Sequence, residues 1–255
     1  MNTAPRLKEQ VRKLLPRETR EHRILFGRLQ GLPIVTSWHD YPGAILGRTE
    51  RPLLAWFYQN ARPSETWIDV GAHYGYTALA LSRIVGPSGR VLAFEPVAST
   101  AHCLERTRVL NRLTQLTVLP VALDGCSERQ RVSLPTFRGM ADSTLVNSKH
   151  DTQSIESISF DALWATLAGG DPVVHGVKID VQGMEIEVLK GMQEMLRRSK
   201  PVIAVELHKG VDRTAILTLL AECGYPTAGE PIDSSEMSSP PKYRDDCSYA
   251  FRPQL

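Results

Sequence analysis

Two short runs in this 255-residue chain end in side chains able to handle a proton. "VHGVKID" closes on Asp180, with Lys178 two positions earlier, and "PVIAVELH" carries Glu206 and His208, again two apart. Residues two apart on an extended strand share a face. If the two runs are neighbouring strands, Asp180, Glu206 and His208 converge. An unperturbed imidazole titrates near pH 6.5, so His208 is the preferred general base. Asp180 comes next, as a base or as an orienting partner, and Glu206 completes the set. The same three groups could hold a divalent ion, since carboxylates and imidazole are acceptable ligands. No Asp-Asn pair follows a strand to complete such a centre, so the reading without a metal is preferred. The plainer alternatives are a helix-capping role for Asp180 before "GMEIEVL" and an ordinary surface histidine at 208.

A second constellation is "DVGAHYG", Asp69 to Gly75, between an apolar run and a helical pattern. Gly71 and Gly75 allow a tight turn and a close backbone approach, and the start of the following helix favours a negative group. A dinucleotide loop would read G-x-G-x-x-G. This one reads G-x-H-x-G, with Asp69 two residues before Gly71 and no third glycine. It suits S-adenosyl-L-methionine, whose amino acid end needs acceptors as well as N–H donors. Glu95 closes the next strand, 20 residues past Gly75. An acid there can accept both ribose hydroxyls. The competing reading is a tight strand–helix turn with no ligand.

Those residues need a scaffold, and the chain supplies one. From Glu65 onward, apolar β-branched runs alternate with helical patterns, which predicts βα units and a mostly parallel sheet. The expected strands are 66–70, 90–94, 116–123, 174–180 and 201–207, with a short terminal one at 247–252. Helices are expected at "YTALALSRIV", "ASTAHCLERTRVLN", "FDALWATL", "EIEVLKGMQEMLRR" and "DRTAILTLLAEC". Residues 125–158 break the rhythm as a strand-and-loop insertion, and 234–241 form a Ser/Pro-rich loop. Residues 1–60 precede the alternation and read as an N-terminal helical cap, with residues 61–255 as the catalytic domain. Cap and insertion would define the acceptor, because loops over the carboxyl end of such sheets set specificity.

Composition narrows the class further. A hydrophobic content of 42% with 23% charged residues is ordinary for a soluble globular protein. No segment has the length and apolarity of a membrane span or the core of a signal peptide. Cys103, Cys126, Cys223 and Cys247 are scattered without a C-x-x-C pair, which points to reduced thiols in a cytoplasmic protein. Residues 1–30 carry eight Arg/Lys against three Glu. With Leu7, Val11, Leu14 and Leu15 on one face, they predict a basic amphipathic helix up to Pro16, which could touch anionic lipid or nucleic acid but is read first as packed on its own domain with its charges solvated.

The blocks "IDVGAHYGYTALALSRIVGPSGRVLAFEP", "VKIDVQGMEIEVLKGM" and "PVIAVELH", in that order, resemble the FkbM family of S-adenosylmethionine-dependent class I methyltransferases. The resemblance runs from about Leu53 to Leu207. It implies a Rossmann-like α/β sheet of seven strands, the last antiparallel, and methyl transfer, mostly to hydroxyls of sugars, polyketides and related small molecules. By it, Asp69, Gly71, His73 and Gly75 match the loop around the methionine moiety, Glu95 the ribose-binding acid, and Asp124 an acceptor for the adenine amino group. The family more often has Asn at the position of His73, a change of modest consequence if both bond locally. It more often has Glu at the position of Gln182, which as an amide can only hydrogen-bond. "HYGYTALALSRIV" also faintly resembles the loop of metal-using catechol-type O-methyltransferases. His39, Asp40, Ser143 and Thr144 are further candidates for the acceptor pocket.

Three other functions compete. Amino methylation of bases calls for an Asp/Asn-Pro-Pro-aromatic run after the fourth strand, where this chain reads "IDVQG". That argues against a nucleic-acid partner, though less against ribose-directed RNA methylation. A nicotinamide oxidoreductase lacks its third glycine. A non-catalytic S-adenosylmethionine-binding module would keep the loop and Glu95 but show no turnover.

Overall fold

The computed structural model describes residues 12–145, 151–167, 173–233 and 243–253. Most of the basic helix expected before Pro16 and the Ser/Pro-rich loop at 234–241 lie outside the described residues.

The apolar runs form one seven-stranded sheet. In sequence order its strands are β3 (Thr66–Val70), β4 (Arg90–Phe94), β5 (Leu116–Leu119), β10 (Gly176–Ile179), β11 (Val202–Leu207), β12 (Glu230–Pro231) and β13 (Cys247–Phe251). In space the order is β12-β13-β11-β10-β3-β4-β5, with β13 antiparallel to β11 and to β12, and β11, β10, β3, β4 and β5 parallel. This is the expected class I order, reversing direction between β3 and β10. The central strands are mostly apolar because both faces are covered, with Asp69 and Lys178 as a buried charged pair among them. Ile68, Val70, Leu92, Phe94, Val177, Ile179, Ile203 and Val205 pack on one side, and Trp67, Val91, Ala93 and Ala204 on the other. The two sets alternate along each strand, as a period of two requires.

Two expectations need correction. The single strand read at 116–123 is two, because Pro120 cannot donate to a ladder. β5 stops at Leu119, and β6 (Ala122–Leu123) pairs instead with β9 (Thr152–Ile158) of the insertion. The insertion itself is a small four-stranded sheet, order β6-β9-β7-β8, with β7 at Gln130–Phe137 and β8 at Met140–Ala141. The helix read at 185–198 is broken into Glu185–Lys190 and Gln193–Ser199. Gly191 at the break lies so close to the insertion that a Cβ would stand 1.8 Å from the Asp124 carbonyl.

The segment before β3 is helical only in part. A hairpin, β1 (Arg20–Arg23) with β2 (Pro33–Thr36), precedes helices α1 (Pro42–Leu46) and α2 (Arg51–Asn60). Ile24, Leu29, Ile34, Leu53, Leu54, Trp56 and Phe57 share one core with Trp67, Leu79 and Val91 of the sheet layer. Trp56, Phe57 and Trp67 meet with centroids 5.7–6.0 Å apart at steep angles, contacts that add roughly 0.5–1.5 kcal/mol each beyond burial. That anchoring carries Tyr41 and Glu50 to the carboxyl end of the sheet.

Candidate active site

β3 delivers the chain to Gly71, where φ is +76° and a Cβ would lie 1.8 Å from the carbonyl oxygen of Asp180. No other residue fits there, so loop and β10 end are pressed together. Gly71 N–H and Ala72 N–H both donate to the Phe94 carbonyl, at 3.0 and 2.9 Å. At Gly75 φ is +88°, and a Cβ would meet Leu104 Cδ1 at 2.1 Å. Gly75 therefore serves helix packing and is not on the cavity wall described below.

Between the glycines, His73 adopts φ +51°. Its N–H donates to Glu95 Oε2 at 2.9 Å, and its ring Nε2 lies 3.0 Å from the Arg138 carbonyl. A carbonyl only accepts, so the proton sits on Nε2. Tyr41 and Tyr74 flank the ring at 4.8 and 4.4 Å between centroids. Loss of hydration pushes the imidazole down to about 4, which keeps it neutral. Its reach to the insertion, 65 residues away, exceeds the local bonding expected of it.

Below the loop lies a buried ion pair. Lys178 and Asp69 are register partners on β10 and β3, with Lys178 Nζ 3.0 Å from Asp69 Oδ1. The ammonium also donates to the Gly71 carbonyl at 2.8 Å, and Thr77 Oγ1 donates to Asp69 Oδ2 at 2.7 Å. Burial alone would lower the Lys178 pKa, but the Asp69 and Asp180 carboxylates outweigh it and hold the ammonium well above its ordinary value. Asp69 is fully buried and lies off the cavity wall. It acts on the loop through Lys178 and Thr77.

Glu95 and Asp124 do reach the wall, each with both oxygens engaged. Glu95 accepts from His73 N–H and from Val97 N–H, both at 2.9 Å. Burial pushes its carboxyl up to about 8 against the pull of those donors. Asp124 accepts from Cys126 N–H at 2.9 Å and Gln130 Nε2 at 2.8 Å. Each oxygen keeps a second lone pair for a ligand.

At the neighbouring strand ends, Asp180, Glu206 and His208 come together as the two-residue spacings required. His208 Nε2 stands 3.4 Å from Asp180 Oδ1 and 3.6 Å from Glu206 Oε1. Its Nδ1 meets Glu185 Oε1 at 2.5 Å. Burial works against the imidazolium, yet the Glu185 bond and the Asp180 and Glu206 carboxylates raise His208 to about 9. Asp180 first, and burial second, push Glu206 up to about 8. The carboxylates around it therefore favour the imidazolium more than the unperturbed value assumed for His208 as a base. Gln182 Nε2 lies 2.7 Å from His208 Nε2. In this arrangement the ring donates Nδ1–H to Glu185 and accepts the Gln182 amide N–H at Nε2.

One cavity of about 310 Å³ connects these groups, lined by Gly71, His73, Glu95, Asp124, Lys178, Asp180, Gln182 and Glu206 among others. His208 itself stands behind Gln182, off the wall. Ser143 lines the cavity and donates to the Gln182 carbonyl at 3.0 Å, whereas Thr144 does not reach it. Asp40 accepts from Tyr74 Oη at 2.9 Å and pairs with His39, so both brace the cap away from this wall. Sequence reasoning missed Tyr41, Glu50 and Arg138 on the wall and Glu185 behind His208. Only Glu185 left a signal, an acid in the first turn of the helix after "DVQG".

Phe94, Val121, Leu123, Val132 and Leu134 form the apolar part of the wall, next to Asp124. Among the described residues no helix is long and apolar enough to cross a membrane, and all four cysteines are free.

The chain is 31% identical over 189 residues to the hexuronic acid methyltransferase AglP of Haloferax volcanii, spanning 74% of this chain and 75% of that one. Among solved structures it is similar to the FkbM methyltransferase of Methylobacillus flagellatus, at 16% identity and TM-score 0.48, covering 78% of this chain and 50% of that one. A SAM-dependent methyltransferase from Aquifex aeolicus matches at 17% identity and TM-score 0.44, covering 79% and 88%. Residues 69–227, which contain the glycine loop and both proton-handling strand ends, match the methyltransferase FkbM domain, and the chain belongs to the FkbM methyltransferase family.

Proposed function

We propose that this protein is an S-adenosylmethionine-dependent O-methyltransferase acting on a hydroxyl of a sugar or related small molecule. The observation that carries the reading is the shared cavity, with the glycine loop, Glu95 and Asp124 at one end and Asp180 and Glu206 at the other. Glu95 would accept the ribose hydroxyls and Asp124 the adenine amino group. When bound, S-adenosylmethionine supplies an electrophilic methyl group on a positively charged sulfur. The residues around Asp180 hold the acceptor oxygen in line with it, and alignment of this kind can contribute roughly 7–11 kcal/mol. Asp180, whose half-buried carboxylate opens on the cavity, would take the proton that the acceptor hydroxyl loses on gaining the methyl group. His208, 3.4 Å from Asp180 and tied to Glu185, would orient that carboxylate. The similarity to a hexuronic acid methyltransferase supports a sugar acceptor.

Asp180→Asn should slow methyl transfer by roughly 10²–10⁴-fold and leave S-adenosylmethionine affinity, read by calorimetry, unchanged. Turnover at the wild-type rate would remove Asp180 from the chemistry. Labelled S-adenosylmethionine with a panel of neutral sugars and uronic acids finds the acceptor. The product should be an alkali-stable ether, and an alkali-labile ester would move the acceptor atom from a hydroxyl to a carboxylate.

A further inference from the structure

Asp180, Glu206 and His208 each place one ligand-capable atom within 4.8 Å of the others, at the ends of two neighbouring parallel strands. We propose that this trio binds one hard divalent cation, Mg²⁺ or Mn²⁺, at the acceptor end of the cavity. The proposal rests on the methyltransferase reading for its role in catalysis, but not for its geometry.

Three features point to a cation. The donors are two carboxylates and one imidazole with no thiolate, a set suited to Mg²⁺ or Mn²⁺. His208 is buried and clamped, with Nδ1 tied to Glu185 and Nε2 facing Asp180 and Glu206 at 3.4 and 3.6 Å, so that a cation there would displace the Gln182 amide from its 2.7 Å contact. A carboxylate behind an imidazole fixes the tautomer and direction of a metal-ligating histidine. Among the described residues Glu185, itself fully buried, accepts one further hydrogen bond, from the Gly183 N–H to the same Oε1 at 3.3 Å. Finally, Asp180, Glu206 and Glu50 face one cavity together, and the neighbouring ammonium, Lys178, pairs most closely with Asp69 at 3.0 Å and reaches only Asp180 of the three, at 3.6 Å. Clustered carboxylates repel unless a cation joins them. The Asp-Asn pair absent from the sequence is not needed, because His208 takes the third position.

A cation here would bind His208 as the neutral imidazole through Nε2 and polarise the acceptor hydroxyl as a Lewis acid. One oxygen of Asp180 would ligate. The other would still take the hydroxyl proton as the methyl group passes from sulfur to oxygen.

The test titrates Mn²⁺ into the chelator-stripped full-length chain, by calorimetry and by loss of the free Mn²⁺ paramagnetic resonance signal. One equivalent should bind, and Mg²⁺ should compete. Glu206→Gln and Asp180→Asn should each weaken Mn²⁺ at least about tenfold, and the positioning variant Glu185→Gln about 10–100-fold, all three with unchanged S-adenosylmethionine affinity. The unmodified chain alone can refute the site, whatever the variants do to folding. Failure to take up Mn²⁺ at millimolar concentration overturns it, and so does uptake indifferent to both Glu206→Gln and Asp180→Asn. Stripped protein that binds no Mn²⁺ yet transfers methyl groups would sink the cation and spare the methyltransferase reading. Mn²⁺ uptake as described without transfer to any acceptor would support the site and sink that reading instead.

Discussion

Replacing Lys178 by methionine keeps the length of the side chain and deletes its charge. In the folded protein Lys178 is 3% exposed and Asp69 is 0% exposed, with Nζ and Oδ1 3.0 Å apart. Without the ammonium, Asp69 keeps the Thr77 hydroxyl as a donor but no counter-charge, and the Gly71 carbonyl loses its bond. Stranding one member of a buried pair costs about 3–5 kcal/mol. At about 2–4 °C per kcal/mol for a chain of this size, Tm should fall by roughly 6–20 °C. Urea unfolding followed by circular dichroism, with calorimetry for Tm, measures it. The decisive comparison is the double variant Lys178→Met, Asp69→Asn. Removing the orphaned charge should recover most of the loss and leave about 1–2 kcal/mol. A single variant costing less than about 1 kcal/mol, or a double variant no better than the single, would refute the argument that this pair holds the loop from beneath.

Other outcomes follow from neighbouring positions. His73 titrates near 4 when folded and near 6.5 when unfolded, so its share of stability is present above pH 6.5 and lost as pH falls toward 4. The loss approaches about 3 kcal/mol. Urea midpoints for His73→Asn should lack this part of the acid slope, and slopes identical to wild type would show that the imidazole is not desolvated. Gly71→Ala meets the Asp180 carbonyl, whereas Gly210→Ala, also at positive φ, meets nothing within 4 Å. Both carry the left-handed penalty of about 1–2 kcal/mol, and only Gly71→Ala should add a further 1–3 kcal/mol or so. Equal melting temperatures would contradict the close approach. Glu95→Ala should abolish S-adenosylmethionine binding in calorimetry, and unchanged affinity would displace the ribose from that wall.

Periodicity and spacing were enough to read the parallel sheet, the glycine loop and the convergence of Asp180, Glu206 and His208, because these are local properties. An apolar run covered on both faces, a glycine at a strand end and an i, i+2 pair on one face depend on near neighbours in the chain. The helix at 185–198 and the strand at 116–123 were misread where that locality fails. Gly191 is shaped by the distant Asp124 carbonyl, and β6 by a partner strand in the insertion. Glu185, Tyr41, Glu50 and Arg138 reach the site from separate elements that no spacing rule relates. Charge belongs to the same class. The type of residue 208 says that it can titrate near neutrality, but whether it does depends on three carboxylates brought to it from elsewhere in the chain. From its sequence alone this protein shows a methyltransferase scaffold and the residues that gather at its strand ends. Which of them carries a proton, and which faces the ligand, is decided only by folding, because burial and Coulomb interactions act through space.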